Sequence, residues 1–212
     1  MVNVICRKKG AMVSAIVLAA GESKRMGKPK LLMPLGNSTV LEQTIDNVLS
    51  SKVSEVVVVV GYRSQEMTRI IADRPVKIAV NPIYKRGMST SIITGLNLVN
   101  NKADAIMLML ADQPFIGSRI INKLIGEFID NNKGIVFPAY QGNHGHPVIF
   151  ATKYKAELLK LEGDVGAREI IKKHANDILE VAVNSESIYV DIDTVSDYYR
   201  ALNPLRKYRK KT

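Results

Sequence analysis

One stretch constrains this chain more than any other: Leu18-Ala19-Ala20-Gly21-Glu22-Ser23-Lys24-Arg25-Met26-Gly27-Lys28-Pro29-Lys30. The apolar run Val13 to Ala19 leads into it and reads as a buried strand. Small residues after such a strand let the backbone approach a ligand. Gly21 and Gly27 can take a positive φ, or lie flush against a phosphate, at no steric cost. Lys24, Arg25 and Lys30 stand within reach of the same loop. A strand feeding a glycine-bearing, cationic loop suits a polyphosphate, with backbone N–H groups as donors and side-chain charge above them. The plain alternative, a basic turn, has no need to combine two glycines, a proline and several cations.

Two better-known phosphate loops are excluded. A P-loop needs G-x-x-x-x-G-K-[ST]. Here five residues separate Gly21 from Gly27, and Pro29 stands where Ser or Thr should be. The dinucleotide fingerprint G-x-G-x-x-G is also missing. The stretch instead resembles the signature of the nucleotidyltransferases that include the nucleoside-diphosphate-sugar pyrophosphorylases. The form L-A-A-G-x-S-x-R-M-G-x-P-K-L-L resembles one MobA-like branch of them, the molybdenum cofactor cytidylyltransferases. The match runs over thirteen consecutive positions, Leu18 to Lys30.

The 212 residues suffice for one sizeable domain and are short for two. A composition of 46% hydrophobic and 24% charged residues reads as soluble and globular. No apolar run approaches the ~20 residues of a membrane span. Arg7, Lys8 and Lys9 are not followed by a secretory h-region. Cys6 is the single cysteine, which excludes an intramolecular disulfide and a cysteine-built zinc site. A cytoplasmic location is the default expectation. The formal charge of +10 suits an anionic ligand, although Arg206, Lys207, Arg209, Lys210 and Lys211 concentrate much of it near the C-terminus. A solvated end is the plain reading of that tail. Nucleic-acid binding would want an aromatic platform, which the tail lacks, so no nucleic-acid or membrane partner is expected.

Residues 1–11 read as an extension, with Met12 a second candidate start, residues 12–203 as one domain, and residues 204–212 as a basic tail. Within the domain, strand and helix patterns alternate. Strands are expected at Val13–Ala19, Glu55–Val60, Val76–Val80, Ala105–Leu110 and Gly134–Pro138. Helices are expected after Thr39-Val40-Leu41-Glu42, a capping-box spacing, after Ser64, from Ser89 to Asn100 and from Ser118 to Asp130. The β-branched run at Glu55–Val60 suits a strand buried on both faces of a parallel sheet. Short links between these elements argue for a parallel sheet with right-handed crossovers. Beyond them the rhythm breaks: a short strand at Pro147–Phe150, helices at Lys153–Leu161 and Ala167–Lys173, strands at Ile178–Val183 and Ile188–Ile192, and a last helix at Ser196–Leu202. The expected fold is a single-domain, three-layer α/β/α structure with a mostly parallel, doubly wound sheet.

In an open α/β sheet the ligand sits beyond the carboxyl ends of the strands. The signature loop, the loop begun by Asn81-Pro82, and Asp112 all follow strands directly. Asp112 is the first metal candidate, because Mg2+ takes one or two carboxylates and fills its octahedron with water and phosphate oxygens. The second lies in Asp191-Ile192-Asp193-Thr194, where strand alternation would put both acids on one face. The resemblance, through its D-I-D-T pattern, implies Asp193 as the ligand, with Asp191 kept as a supporting or alternative one. Helix capping is the plain alternative for all three acids, and for Ser89 in Gly87-Met88-Ser89-x-Ser91. His144-Gly145-His146-Pro147 lacks a third metal ligand nearby.

The resemblance implies roles for these residues. Leu18, Ala19, Ala20, Gly21, Arg25, Lys30, Gly87, Ser89 and Asp112 would bind the nucleotide. Arg25, Lys30 and Asp112 would be catalytic, and Asp112 and Asp193 would hold Mg2+. The G-x-x-G-H-P-x-x-F pattern, Gly142 to Phe150, would face the second substrate through Gly145, His146 and Pro147. Arg168 of the G-D-x-G-A-R pattern would join them. The resemblance further implies CTP as donor, molybdopterin carrying molybdenum as acceptor, and contact with a molybdoenzyme or its chaperone. Guanylyl-transferring relatives typically read L-A-G-G where this chain has Leu18-Ala19-Ala20-Gly21, which favours CTP. Rivals are a guanylyl- or sugar-phosphate nucleotidyltransferase and a non-catalytic nucleotide-binding regulator on the same fold. Lys30 would serve the ligand and leave folding almost untouched.

Overall fold

A computed structural model describes residues 10–209, with side chains described as far as Leu202. Most of the expected 1–11 extension, and residues 210–212 of the expected tail, lie outside the described residues. In chain order the elements are β1 (Val13–Ala19), β2 (Pro34–Leu35), β3 (Ser38–Thr39), α1 (Val40–Leu49), β4 (Glu55–Val60), α2 (Ser64–Ile70), β5 (Lys77–Val80), α3 (Met88–Leu96) and β6 (Ala105–Leu110). Then come α4 (Ser118–Asp130), β7 (Ile135–Tyr140), β8 (Asn143–His144), β9 (Val148–Ala151), α5 (Lys155–Leu158), α6 (Arg168–Lys173), β10 (Ile178–Ala182) and α7 (Val195–Arg209).

The main sheet runs β10-β7-β9-β6-β1-β4-β5, with β8 paired to β7 at the side. β1 pairs in parallel with β4 and β6, β4 with β5, and β7 with β10. β9 runs antiparallel between β6 and β7, so the Pro147–Phe150 run becomes the one reversed strand in the sheet's centre. β1 is central because its run is buried on both faces: Val13, Ala15, Ile16 and Val17 have no exposed surface. Helices flank the sheet. α4 turns Ile121, Leu124, Ile125 and Phe128 inward, at the 3–4 residue spacing of a helical stripe. Each such burial contributes about 1.5–3 kcal/mol relative to exposure. α1 lies beside α4, while α3 packs on β1 and β4 and touches α5. No helix among the described residues is long and apolar enough to cross a membrane.

Several expectations hold locally and some are corrected. Thr39 and Glu42 form the expected capping box: Glu42 N–H donates to Thr39 Oγ1 at 3.2 Å, and Thr39 N–H to Glu42 Oε2 at 2.8 Å. α7 runs to Arg209, past the expected end at Leu202. The expected strand at Ile188–Ile192 is instead a short 3-10 turn, Glu186–Tyr189, followed by extended chain. Its reason is visible in the backbone: Ile188 C=O accepts from His146 N–H at 2.8 Å, and Ile192 N–H donates to Asp112 C=O at 3.0 Å. These bonds go to two different segments, so no ladder forms. The segment crosses the strand ends instead of joining the sheet.

Candidate active site

Strand order reverses at β1. From it the chain proceeds to β4 and β5 on one side and returns to β6 on the other. A crevice opens at the carboxyl end of such a switch point. Here it holds a cavity of about 400 Å³ whose wall includes Ala20, Gly21, Arg25, Lys30, Asp112 and Asp193. A second cavity of about 440 Å³ adjoins it, and Leu18, Leu110, Met88 and Asp164 line both.

The signature loop is built from two tight turns. Met26 N–H and Gly27 N–H close the first on the carbonyls of Ser23 and Lys24, at 3.0 and 3.3 Å. Their donors are therefore spent, which leaves fewer of the signature loop's backbone N–H groups for a phosphate. Gly27 takes φ 63° as the cap of that turn. Gly21 needs no such conformation, and an added Cβ there meets no protein atom within 4 Å. The second turn, Lys30–Leu32, buries Leu31 and so fixes the base of the Lys30 side chain.

Asp112 is placed by the end of β6. Ala111 C=O accepts from Thr44 Oγ1 of α1 at 2.9 Å, and Pro114 C=O from Asn47 Nδ2 at 2.8 Å. Asp193 is placed by α7. Thr194 and Asp197 cap that helix reciprocally: Thr194 N–H donates to Asp197 Oδ2 at 2.8 Å, and Asp197 N–H to Thr194 Oγ1 at 3.2 Å. A second stitch joins the two segments, from Gln113 Nε2 to Asp191 Oδ1 at 2.6 Å.

The charged centre follows from this scaffold. Lys30 Nζ lies 2.5 Å from Asp112 Oδ2 and 2.8 Å from Asp193 Oδ1. Arg25 reaches Asp193 Oδ2 at 2.8 Å, although its side chain is 73% exposed. Lys30 is only 12% exposed. Burial works against its charge, but Asp112 and then Asp193 more than offset it, so its pKa rises above the ordinary lysine value. Lys30 is thus part of the site's own charge balance, which bears on the expectation that its loss leaves folding almost untouched. Burial pushes the Asp191 carboxyl up, helped by Asp112, while the Gln113 amide works the other way. Asp112 Oδ1 and Gln113 Oε1 are buried acceptors with no protein partner. Among the described residues, no group of three or more His, Cys, Asp or Glu is arranged to hold a metal by itself.

Other expected residues divide. Leu18, Ala20, Gly21 and Gly87 line the first cavity; Gly145, His146 and Arg168 line the second. Ala19 points into the core, and Pro147 is buried outside the cavity wall. Ser89 caps nothing: α3 begins at Met88, with Gly87 as N-cap at φ 113°. Ser89 Oγ instead donates to Gly163 C=O at 2.7 Å, and Met88 N–H to Asp164 Oδ1 at 2.9 Å. The helix start thus gives these donors to the 163–164 loop. Glycine is required at position 87, since a Cβ would come 2.4 Å from Gly163 O.

Sequence reasoning passed over Gln113, Glu22, Tyr84 and Asp164. Tyr84 and Glu22 line the first cavity, with Tyr84 Oη 3.4 Å from Glu22 Oε1. Gln113 stands beside Asp112, Glu22 inside the signature loop and Asp164 in the G-D-x-G-A-R pattern, while Tyr84 carries no local signal. Asn81 is structural: its Nδ2 donates to Thr90 Oγ1 and Ser91 Oγ at 2.9 and 3.0 Å.

Two predictions arise in the second cavity. Gly145 backs onto Ile188, whose carbonyl oxygen would lie 2.3 Å from an added Cβ. Gly145→Ala is expected to cost about 1–3 kcal/mol through backbone displacement, read as a lowered Tm. Burial holds the His146 pKa below the ordinary histidine value; Asp112 and the Leu108 carbonyl oppose this, and Arg168 adds to it. A depressed histidine gives stability that is full above the unfolded value of about 6.5 and is lost as pH falls from there through the folded value. Melts of the wild type and His146→Gln at pH 7.5 and 5.5 are expected to show the smaller acid loss in the variant.

A family model described as the MobA-like NTP transferase domain matches residues 15–178. The chain belongs to that family. It is a nucleotidyltransferase. Among characterised relatives of this MobA-like chain is nicotine blue oxidoreductase of Paenarthrobacter nicotinovorans, 30% identical over 200 residues, covering 90% of this chain and 96% of that protein. Another is molybdenum cofactor cytidylyltransferase of Escherichia coli K12, 27% identical over 190 residues, covering 89% and 95%. Among solved structures, Rv0371c of Mycobacterium tuberculosis H37Rv matches with a TM-score of 0.83 at 29% identity, over 91% of this chain and 97% of that one. A structure of Rv0371c in complex with manganese matches with a TM-score of 0.79 at 27% identity, over 91% and 98%.

Proposed function

We propose that this MobA-like protein is a Mg2+-dependent cytidylyltransferase. It would join the nucleoside monophosphate of CTP to the phosphate of a molybdopterin-type acceptor and release pyrophosphate. The observation that carries the reading is the meeting of Lys30, Asp112 and Asp193, from three distant segments, on the wall of the cavity beside the signature loop.

The donor set fits a divalent metal. Asp112 Oδ1 is a buried acceptor without a protein partner, and hard carboxylate oxygens suit Mg2+. Two carboxylates without a third protein ligand match an ion that completes its shell with water and phosphate oxygens. Asp112 and Asp193 would hold it, and bound there it would supply Lewis-acid stabilisation of charge on the phosphate oxygens.

The chain's own residues do the rest. Lys30 and Arg25 pair with oxygens of the triphosphate. Gly21 leaves open space over the loop for the phosphates. The acceptor phosphate, held from the second cavity, attacks the α-phosphorus; an oxygen–phosphorus bond forms as the bond to the β-phosphate's bridging oxygen breaks, and pyrophosphate leaves. No general base is needed, since a phosphate monoester with a second pKa of about 6 is ionised at neutral pH. Positioning and charge neutralisation supply the rate.

The second cavity suits a planar, anionic acceptor. Phe137, His144, Phe150 and Leu108 give it an apolar and aromatic wall, and Arg168 and Lys172 give it positive charge. The Escherichia coli relative's name supports the same acceptor. The CTP preference rests on Ala20, whose buried methyl packs by Gly61 and takes up space that a glycine would leave open.

The relative named an oxidoreductase favours a second reading, a redox enzyme on this fold. One panel separates them: the protein with each of the four NTPs, Mg2+ and candidate acceptors, read for pyrophosphate, beside NADH and NADPH oxidation with the same acceptors. The proposal expects pyrophosphate with CTP and a phosphorylated pterin. Reductant consumption without pyrophosphate from any NTP would replace it.

A further inference from the structure

The two cations assigned to the triphosphate are paired with the two carboxylates assigned to the metal. Lys30 bridges Asp112 and Asp193 at 2.5 and 2.8 Å, and Arg25 holds the other oxygen of Asp193 at 2.8 Å. Lys30 is nearly enclosed, so it cannot leave this place for water without an alternative partner at little cost. A second cation at Asp112 and Asp193 would face this ammonium directly. A triphosphate without a metal would find Lys30 and Arg25 already paired, with Asp112, Asp191 and Asp193 close by. Both obstacles lift together when the phosphates offer Lys30 and Arg25 new partners and a metal takes over the carboxylates. Lysine suits the exchange, being a point charge on a flexible four-carbon stem.

We propose that Lys30, seconded by Arg25, is an internal counter-cation that opposes the entry of metal alone and of NTP alone. This rests on the reading of Asp112 and Asp193 as metal ligands. The two binding events are then coupled, and the coupling is reciprocal.

The test uses Mn2+ as probe with no nucleotide present, reading the loss of the free-ion EPR signal on full-length protein. Lys30→Met is expected to bind Mn2+ about tenfold or more tightly than wild type, within the usual 5–150-fold range of such couplings. Arg25→Met, an exposed position that tolerates change, is expected to tighten binding by less and serves if Lys30→Met does not fold. Lys24→Met removes the same charge from the same loop, but Lys24 pairs with Glu22, at 3.1 Å, and not with the aspartates. It is expected to bind Mn2+ as wild type does. Wild-type Mn2+ affinity in both Lys30→Met and Arg25→Met overturns the lock, as does equal tightening by Lys24→Met, which would make the effect one of general charge. The double variant Lys30→Met/Asp112→Asn separates the two failures. Loss of the gained affinity is expected; its retention would put the ion elsewhere and overturn the metal reading and the lock together.

Discussion

Lys30→Ala is expected to lower kcat/KM by about two or more orders of magnitude. Removing one charged contact to a developing transition state typically costs ~3–4 kcal/mol. The geometry adds a second effect. Lys30 holds Asp112 and Asp193 together, and its removal leaves two partly buried carboxylates facing each other beside Asp191. The variant is therefore expected to lose about 1–3 kcal/mol of stability, the usual cost of orphaning a buried polar partner. In a chain of this size that is a Tm drop of roughly 2–4 °C per kcal/mol. Steady-state kinetics and thermal denaturation check both parts. Wild-type turnover would remove the signature loop from the chemistry. Unchanged stability with lost turnover would mean that the Asp112–Lys30–Asp193 bridge contributes little to the fold.

The signature loop was legible because its residues are contiguous. A strand, two glycines and a row of cations carry their meaning locally. The sheet was legible for the same reason: Glu55–Val60 reads as a strand buried on both faces, and it pairs with β1 and β5. The direction of β9 was not, since Val148–Ala151 shows only that it is apolar, and its antiparallel run is set by its neighbours β6 and β7. The Asp191–Asp193 segment departs from the expected strand. It is not a strand, yet extended chain keeps the alternation: Ile192 is buried, and the acids on either side of it turn to Gln113 and to Lys30. The T-x-x-D spacing of Thr194 and Asp197 was a helix-start signal present in the sequence. The pairing of Lys30 with both aspartates had no sequence signal, because it exists only once three distant segments meet.

Asp112→Asn and Asp193→Asn carry the second large effect. Each keeps the side chain's shape and removes a charge from the pair that would hold the metal. Turnover is expected to fall on the order of 10²–10³-fold, as for loss of one electrostatic contact to the transition state. Stability is expected to stay near wild type, in contrast to Lys30→Ala. Lys30 pairs with both Asp112 and Asp193, so one neutralised acid still leaves it a carboxylate, and Arg25 is exposed enough to turn to water. Asp191→Asn is expected to do less than either, because Asp191 faces the Gln113 amide and acts by holding the Asp112 and Asp193 segments together.

A Mg2+ titration of pyrophosphate release, run for wild type and these three variants with CTP and acceptor saturating, asks whether Asp112 and Asp193 hold the ion. The Mg2+ midpoint is expected to rise sharply for Asp112→Asn and Asp193→Asn and to stay near wild type for Asp191→Asn. A wild-type midpoint for Asp193→Asn together with a raised one for Asp191→Asn would contradict it.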